Sequence, residues 1–185
     1  MRAEYRVGKK RKRGHVVPKR IWAPDYYVGI DPSPTATGVA IYSVARGMYA
    51  LLDSYPAENV GGVVVAQSLA LGRVGHSSPR IVVTIEDYNL LPRFRTQVSA
   101  ARMIERRIKS AFPHRNRIIR APVNRWRRVV LGKQRHGVDW KDLARWYATA
   151  ILCAEVIDHN IAEAVCIGEY GRNVHENDLK ARGIT

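Results

Sequence analysis

The sequence contains few cysteines and no long apolar run, and both shortages narrow what the chain can be. Cys153 and Cys166 are its only cysteines, and they lack the spacing of a redox or zinc motif, so we interpret them as reduced core thiols. The six histidines show no zinc-ligand spacing either. No stretch is long and apolar enough for a membrane span, and no signal-peptide core follows the basic N-terminus. We therefore expect a cytoplasmic protein with no membrane partner.

Acidic residues are also scarce, and this shortage points to a polyanionic partner. The chain has 16 Asp and Glu against 31 Lys and Arg, a formal net charge of +15 and a pI near 10.3. The basic residues concentrate in residues 1–20 and 93–128, where Glu4 and Glu105 are the only acids. Such runs repel themselves unless a polyanion compensates them, which favours a nucleic-acid-binding protein.

The length and composition predict one globular domain with a basic arm. The chain has 185 residues, of which 46% are hydrophobic, and this is enough to bury a core. We expect residues 1–24 to form a flexible N-terminal tail and residues 25–185 to form the domain. The run KKRKR at 9–13 fits either a nuclear import signal or an arm that holds phosphates, and we favour the arm.

The segment YYVGIDPSPTATGVAIY, residues 26–42, organises the predicted fold. Val28–Ile30 and Thr37–Tyr42 are typical of strands, and the prolines and glycine near the intervening turn make them antiparallel neighbours. Asp31 ends the first strand. A buried carboxylate there needs a partner, so Asp31 either caps the turn or binds a cation.

The rest of the chain predicts an α/β fold. The pattern indicates one mixed five-stranded sheet that begins with three antiparallel strands and is flanked by helices. Residues 59–75 favour a short helix in their second half, although the VVV run is also compatible with a strand. The further predicted strands are Met48–Ser54, Arg80–Glu86 and Arg117–Ala121. The further predicted helices are Arg93–Phe112, Val123–Leu131, a helix from Asp139 or Trp140 to about Ile157, and Ile161–Tyr170, ended by Gly171.

Two predicted strands end in carboxylates, Asp31 and Glu86, and these would meet at one sheet edge if the strands are parallel neighbours. The last helix can add Glu163 and, three residues earlier on the same face, Asn160. Several oxygen ligands from separate elements suit a hard divalent cation such as Mg²⁺ or Mn²⁺.

This set of residues resembles the RuvC-like Holliday junction resolvases, and the likeness extends from about Tyr26 to Tyr170. GIDPSPTATG at Gly29–Gly38 is similar to their opening GIDPG and later Thr-Gly. Ile85-Glu86 matches their second acidic motif, and Asn160–Ala164 looks like their terminal DxxDA. The loop before Lys141 resembles the segment that places a lysine near the scissile phosphate. The resemblance implies an RNase H-like fold, in which two parallel strands follow the three antiparallel ones, and an origin in a phage or a bacterium.

The resemblance also implies a mechanism and a substrate. The chain would be an endodeoxyribonuclease that cuts four-way or other branched DNA by hydrolysis, using two Mg²⁺ or Mn²⁺ ions about 4 Å apart. Asp31 would bridge the ions, and Glu86, Asn160 and Glu163 would complete their shells. Lys141 would stabilise the transition state, although a solvated lysine at a helix start is the simpler interpretation. The resemblance further implies a homodimer.

Asn160 departs from the family pattern, which has Asp at this position. Either Asp158 or His159 supplies the missing ligand, or the chain is an inactivated Asp→Asn variant. Asp158 lies five residues before Glu163, and helical geometry turns it away from the same face, so we favour the variant.

Arginines on two predicted helices form the candidate DNA-binding surface. Tyr88 and Phe94 are candidates for base stacking, although Phe94 also continues an apolar stripe that suits the core or a dimer interface. The four tryptophans, Trp22, Trp126, Trp140 and Trp146, are interpreted as packing residues. The candidate DNA-binding arginines are Arg93, Arg95, Arg102, Arg106, Arg107, Arg125, Arg127 and Arg128.

Two other function classes each account for only part of these sequence features. An actin-like phosphotransferase or ATPase would use Asp31 and its turn, but it requires a second Gly-rich phosphate loop, which we do not find, and a longer chain. A non-catalytic nucleic-acid-binding protein would explain the charge but not the carboxylates that end two strands.

Overall fold

The computed structural model describes residues 22–71, 79–88, 94–134, 137–153, 155–156 and 158–184. Its five strands are β1 Tyr26–Asp31, β2 Thr37–Ser43, β3 Met48–Tyr55, β4 Ile81–Asp87 and β5 Asn116–Pro122. Its helices are α1 Ala57–Leu71, α2 Arg95–Ala111, α3 Val123–Trp126, α4 Trp140–Leu152 and α5 His159–Lys180. A π-helical turn, Arg127–Leu131, continues α3.

The strands form one sheet in the order β3-β2-β1-β4-β5. β1 pairs antiparallel with β2, and β2 with β3, whereas β1 pairs parallel with β4, and β4 with β5. The predicted arrangement of three antiparallel and two parallel strands is therefore confirmed. In this register Ile30 lies beside Ile85, so the residues that follow them, Asp31 and Glu86, leave the sheet side by side.

Each face of the sheet carries its own core, and strand alternation decides which residues enter it. Val28, Ile30 and Ile85 pack against α1 and α2 on one face. Tyr27 and Val82 point to the other face, which α4 and α5 cover. Because Asp31 and Glu86 share the parity of Tyr27 and Val82, both carboxylates lie on the α5 face.

Helix α5 lies unusually close to the sheet because glycines line the contact. A Cβ added to Gly29 would overlap the carbonyl oxygen of Ala164, and one added to Gly38 would overlap the carbonyl oxygen of Asn160. A Cβ on Gly171 would overlap the side chain of Thr84. The helix backbone therefore rests on β1, β2 and β4 with almost no side-chain layer between them.

Three predicted helix boundaries are wrong. Gly171 does not end α5, which continues to Lys180, because this glycine serves the contact with Thr84 and not a helix terminus. The helix before β4 begins already at Ala57, because residues with helical spacing such as Val60, Val64 and Ser68 are buried along one side. Helix α4 ends at Leu152, before the predicted Ile157, because Cys153 adopts a left-handed conformation with φ of 52°.

Two residues predicted to lie in the core are exposed. Cys153 is a free, exposed thiol at the end of α4, whereas Cys166 is buried as predicted. Trp146 is 63% exposed on α4, so its predicted packing role is wrong. Both residues lie on the outer side of α4, whose buried contacts are made by small residues, Ala144 and Ala148.

The predicted flexible tail lies almost entirely outside the described residues, which begin at Trp22. Trp22 packs on the α5 face of the core, with its ring centroid 6.3 Å from that of His175. Within the described segments, no helix has both the length and the apolar character needed to cross a membrane.

Replacing Gly29 with Ala should destabilise the protein strongly, because the new Cβ would collide with backbone atoms of α5. We expect a loss of about 1–3 kcal/mol or more in the free energy of unfolding, measured by urea denaturation. Gly62→Ala is the matched control, since nothing lies within 4 Å of its added Cβ and it sits inside α1. The control should gain up to about 1 kcal/mol from helix propensity. Equal denaturation midpoints for the two variants would contradict the close contact.

Candidate active site

Three buried carboxylates converge at one edge of the sheet. Asp31 ends β1 and is 5% exposed, and Glu86 lies one residue before the end of β4 and is 1% exposed. Glu163, in the second turn of α5, is 6% exposed. Asp31 senses the charges of both glutamates, so the three groups form one electrostatic cluster, which we call the acidic cluster.

The first turn of α5 is fixed by a cap and by a glycine contact. Asp158 is the N-cap, and its carboxylate accepts a hydrogen bond from the backbone N–H of Asn160 at 2.7 Å. The carbonyl of Asn160 packs on Gly38, which lies directly opposite Asp31 in the β1–β2 register. The backbone of Asn160 is therefore next to the acidic cluster, one turn before Glu163.

Three protein side chains contact the carboxylates of the acidic cluster. The indole Nε1–H of Trp126 donates to Glu86 Oε1 at 2.7 Å, and the guanidinium Nη2 of Arg127 lies 3.0 Å from Glu163 Oε1. The hydroxyl of Tyr88 lies 3.5 Å from Asp31 Oδ1. The carboxylates are thus held by side chains that carry a single positive charge in total.

Trp126 and Arg127 are consecutive in the chain, and the sequence did not predict that both contact carboxylates of the acidic cluster. Trp126 was expected to pack, and it is fully buried, but it also holds a site carboxylate. Arg127 was assigned to DNA, and it is ion-paired with Glu163. The two residues stand where α3 passes into the π-helical turn, and such turns are frequent at functional sites. Adjacent Trp and Arg residues inside the predicted helix Val123–Leu131 were the only sequence signal.

Burial and mutual repulsion raise the pKa of two of the carboxyl groups. Burial, and then the charges of Glu86 and Glu163, raise the pKa of Asp31 well above its ordinary value, and Arg127 offsets only part of this. Burial likewise raises the pKa of Glu86, with the Tyr88 hydroxyl and the Trp126 indole opposing the shift. Both carboxyl groups are therefore harder to ionise than usual, because Arg127 supplies too little positive charge to offset burial and repulsion.

The donor set fits a hard divalent cation in its chemistry. Glu86 Oε2 is buried and has no hydrogen-bond partner among the described residues, and carboxylate oxygens are the ligands that Mg²⁺ and Mn²⁺ prefer. The side chains as arranged do not form a complete coordination shell for such an ion. In the described part of the chain, no three His, Cys, Asp or Glu side chains are arranged closely enough to hold an ion, and Glu163 is paired with Arg127.

The remaining residues considered for the site lie elsewhere or stay as predictions. Asp158 caps α5, and its second oxygen lies 3.4 Å from the hydroxyl of Ser54, so it is engaged away from the acidic cluster. Lys141 is exposed in the first turn of α4, which matches its simpler interpretation. Tyr88 has its hydroxyl at Asp31 and its ring centroid 4.9 Å from that of Phe94, so base stacking by Tyr88 stays a prediction.

The candidate DNA-binding arginines divide between the two faces of the sheet. Those on α2 lie on the face opposite α5, and the apolar stripe of α2 is buried inside the molecule at residues such as Ile104 and Ile108. Of the two orientations considered for this stripe, the structure thus has the one that faces the core. Arg93 lies outside the described residues. The exposed arginines are Arg95, Arg102, Arg106 and Arg107 on α2, with Arg125 and Arg128 beside the acidic cluster's partner Arg127.

The raised pKa values predict how stability depends on pH when chelator is present. A carboxyl group whose pKa is higher in the folded state stabilises the fold fully at pH values below its unfolded pKa. This stability is lost as the pH rises through the folded pKa. In EDTA, the wild type should therefore lose more stability than Asp31→Asn between pH 4 and pH 8, by up to about 1.4 kcal/mol per pH unit for each proton.

Urea denaturation at each pH measures this difference. His175, whose pKa burial lowers to about 4, contributes the opposite slope below neutral pH, but it is present in both proteins and cancels. Asp53→Asn removes an exposed carboxylate on β3 as a control for the charge change. Parallel profiles for the wild type and Asp31→Asn would contradict the proposed repulsion.

The architecture has clear counterparts among solved structures. No protein-family model and no curated protein sequence matches the chain. A structure described as T. thermophilus RuvC in complex with Holliday junction substrate superposes with a TM-score of 0.54 at 14% identity, covering 86% of this chain and 96% of that one. A second Thermus thermophilus RuvC structure gives 0.52 at 16% identity, covering 84% and 96%. The chain therefore has a RuvC-like, RNase H-like fold.

Proposed function

We propose that the protein is a metal-dependent endonuclease that hydrolyses phosphodiester bonds in branched DNA, with four-way junctions as the preferred substrate. The observation that carries this proposal is the convergence of three buried carboxylates from β1, β4 and α5 at one sheet edge, next to arginines. A fold shared with RuvC and a net charge of +15 support the choice of DNA as the substrate.

Asp31, Glu86 and Glu163 would hold the divalent cation, with the amide oxygen of Asn160 as a neutral fourth ligand. When bound, Mg²⁺ or Mn²⁺ supplies Lewis-acid chemistry and lowers the pKa of a coordinated water. The requirement for a cation follows from the chain's own charges, because one guanidinium faces three carboxylates. Completing the shell would involve a rotation of Glu163 away from Arg127.

The chain's own residues would orient the reacting groups. Trp126 fixes the rotamer of Glu86 through a buried hydrogen bond, and Tyr88 limits the freedom of Asp31. Arg127 would exchange its ion pair with Glu163 for a phosphate oxygen of the DNA, which suits the forked geometry of a guanidinium. Positive charge placed there would stabilise the transition state of phosphodiester hydrolysis.

The outer arginines would position the DNA rather than act on the scissile bond. Helix α2 has 17 residues and is therefore about 25 Å long, so its arginines reach well beyond one phosphate. Arg95 stands at the end of α2 that follows Phe94 and Tyr88, near the acidic cluster, whereas Arg106 and Arg107 lie toward the far end. Junction arms extending across the sheet edge would meet both groups, and binding should weaken steeply with salt.

A homodimer would place two such sites on one junction and allow symmetric cuts. The apolar stripe of α2 cannot provide this interface, because Ala100, Ala101, Ile104 and Ile108 are buried within the molecule. Dimerisation is therefore part of the proposal without an assigned surface.

A second candidate function is a junction-binding protein that does not cut. Two observations favour it: Asn160 is neutral where the resembling family has Asp, and Glu163 is engaged by Arg127. This candidate predicts tight binding without cleavage.

Glu163→Gln should abolish most cleavage if the acidic cluster performs the reaction. We expect the single-turnover rate on a four-way junction with Mg²⁺ or Mn²⁺ to fall by at least about 100-fold, because one charged ligand of the site becomes neutral. Glu58→Gln, an exposed residue in the first turn of α1, should leave the rate unchanged. EDTA should stop the wild type, and linear duplex should be cut more slowly than the junction. A wild type that binds junctions tightly and cuts none of them would instead support the second candidate.

Asn160→Asp tests whether the chain is impaired at this position. An added carboxylate in the first turn of α5 should raise the cleavage rate and tighten Mn²⁺ binding, each by at least about tenfold. Asn177→Asp adds the same charge at an exposed site near the other end of α5 and should have no such effect. Unchanged Mn²⁺ affinity and rate in Asn160→Asp would rule out the interpretation of Asn160 as an inactivating replacement.

A further inference from the structure

A cavity lies beside the acidic cluster and shares Arg127 with it. It has a volume of about 420 Å³, within the range of about 300–1,000 Å³ that is common for ligand pockets. Its walls come from α3, the π-helical turn, the loop after it and the first residue of α4, and we call it the tryptophan pocket. Its lining includes Val123, Arg127, Arg128, Lys133 and Trp140.

The chemistry of the tryptophan pocket suits an anion that carries a flat ring. Three cations, Arg127, Arg128 and Lys133, contribute to its lining, and no acidic residue does so among those described. Trp140 supplies an aromatic surface, and the guanidinium carbon of Arg127 lies 5.8 Å from its ring centroid. Aromatic rings and guanidinium planes are protein surfaces on which nucleobases stack.

Arg127 physically joins the tryptophan pocket to the acidic cluster. The same side chain that is ion-paired with Glu163 lines the pocket and lies near Trp140. A nucleotide whose base enters the pocket would therefore have its own phosphate, or the next one, within reach of the carboxylates. Nucleotides along a strand are separated by only about 3.4 Å in stacked DNA and by somewhat more when unstacked.

We propose that the tryptophan pocket holds an unpaired nucleotide next to the cut, with its base against Trp140 and Arg127 and its phosphate near Arg128 and Lys133. This inference rests on the proposed function and adds a specific role for a side chain that the sequence suggested was only packing. Open junctions offer such a nucleotide, because bases at the branch point are the easiest to unstack. The pocket would select substrates in which a base can leave the stack.

The test uses full-length protein and a four-way junction with 2-aminopurine at the nucleotides that flank the cut, in Ca²⁺ to prevent turnover. Trp140→Ala should weaken junction binding by about 5- to 150-fold, the equivalent of 1–3 kcal/mol of base stacking, and should remove the fluorescence change of the probe. Trp140→Phe should retain most of both, because a smaller aromatic ring still stacks. Trp146→Ala is the matched control, since Trp146 lies on the same helix, is 63% exposed and does not line the pocket.

Lys133→Gln gives an independent measurement that cannot be confused with misfolding, because this lysine is exposed. It should weaken binding and reduce the slope of log affinity against log salt by about one unit, as expected for one phosphate contact. Lys180→Gln, exposed at the end of α5, should leave the slope unchanged.

The outcomes separate this inference from the proposed function. If the wild type cuts junctions but Trp140→Ala behaves like Trp146→Ala in binding and in probe fluorescence, the pocket inference is overturned and the nuclease proposal stands. If no cleavage occurs but the Trp140→Ala and Lys133→Gln effects are present, the tryptophan pocket is supported as a nucleotide site in a protein that binds junctions without cutting them. Loss of binding in both Trp140→Ala and Trp140→Phe, with no probe signal in the wild type, would reduce Trp140 to a support for Arg127 and would also overturn the inference.

Discussion

The structure depends on the repulsion among three carboxylates that the fold buries together. Strand alternation turns Asp31 and Glu86 toward the same face, and α5 brings Glu163 to them. Against these acids the protein places one indole N–H, one hydroxyl and one guanidinium. The chain has 31 Lys and Arg residues, yet in its described part the printed ion pair with these acids is made by Arg127. This imbalance is the reason for proposing a cation, and then a phosphate, as the complement of the site.

The sequence predicted the parts of the site that follow from periodicity and missed those that follow from packing. Asp31 and Glu86 each close a run of apolar residues, and a strand that ends in an acid predicts a carboxylate at the sheet edge. Glu163 was proposed from its place on the last predicted helix, and the family resemblance then matched it to an acidic motif. Trp126 could not be assigned, because its bond to Glu86 spans 40 positions and passes through a π-helical turn that no local pattern indicates. The prediction that Gly171 ends α5 failed for a related reason, because the contact of Gly171 with Thr84 is a tertiary feature.

The consecutive residues Trp126 and Arg127 give the site a built-in asymmetry. One partner is neutral, fully buried and directed to Glu86, so that carboxylate is held rigidly. The other is charged, partly exposed and shared between Glu163 and the tryptophan pocket. Of the three acids, Glu163 therefore has the most accessible partner. Under the proposed function, recognition of the DNA and assembly of the metal ligands would be coupled through the single side chain of Arg127.

Because of the glycine contacts beneath α5, the two faces of the sheet differ in how much sequence change their packing can tolerate. At Gly29 and Gly38 the backbone of α5 rests directly on the backbone of the strands. Exchanging side chains therefore cannot change the distance between the helix and the strands gradually. Helices α1 and α2, which meet the sheet through interlocking aliphatic residues, remain free to shift as sequences drift. Distant relatives should therefore superpose best around β1 and α5 and worst on the opposite face.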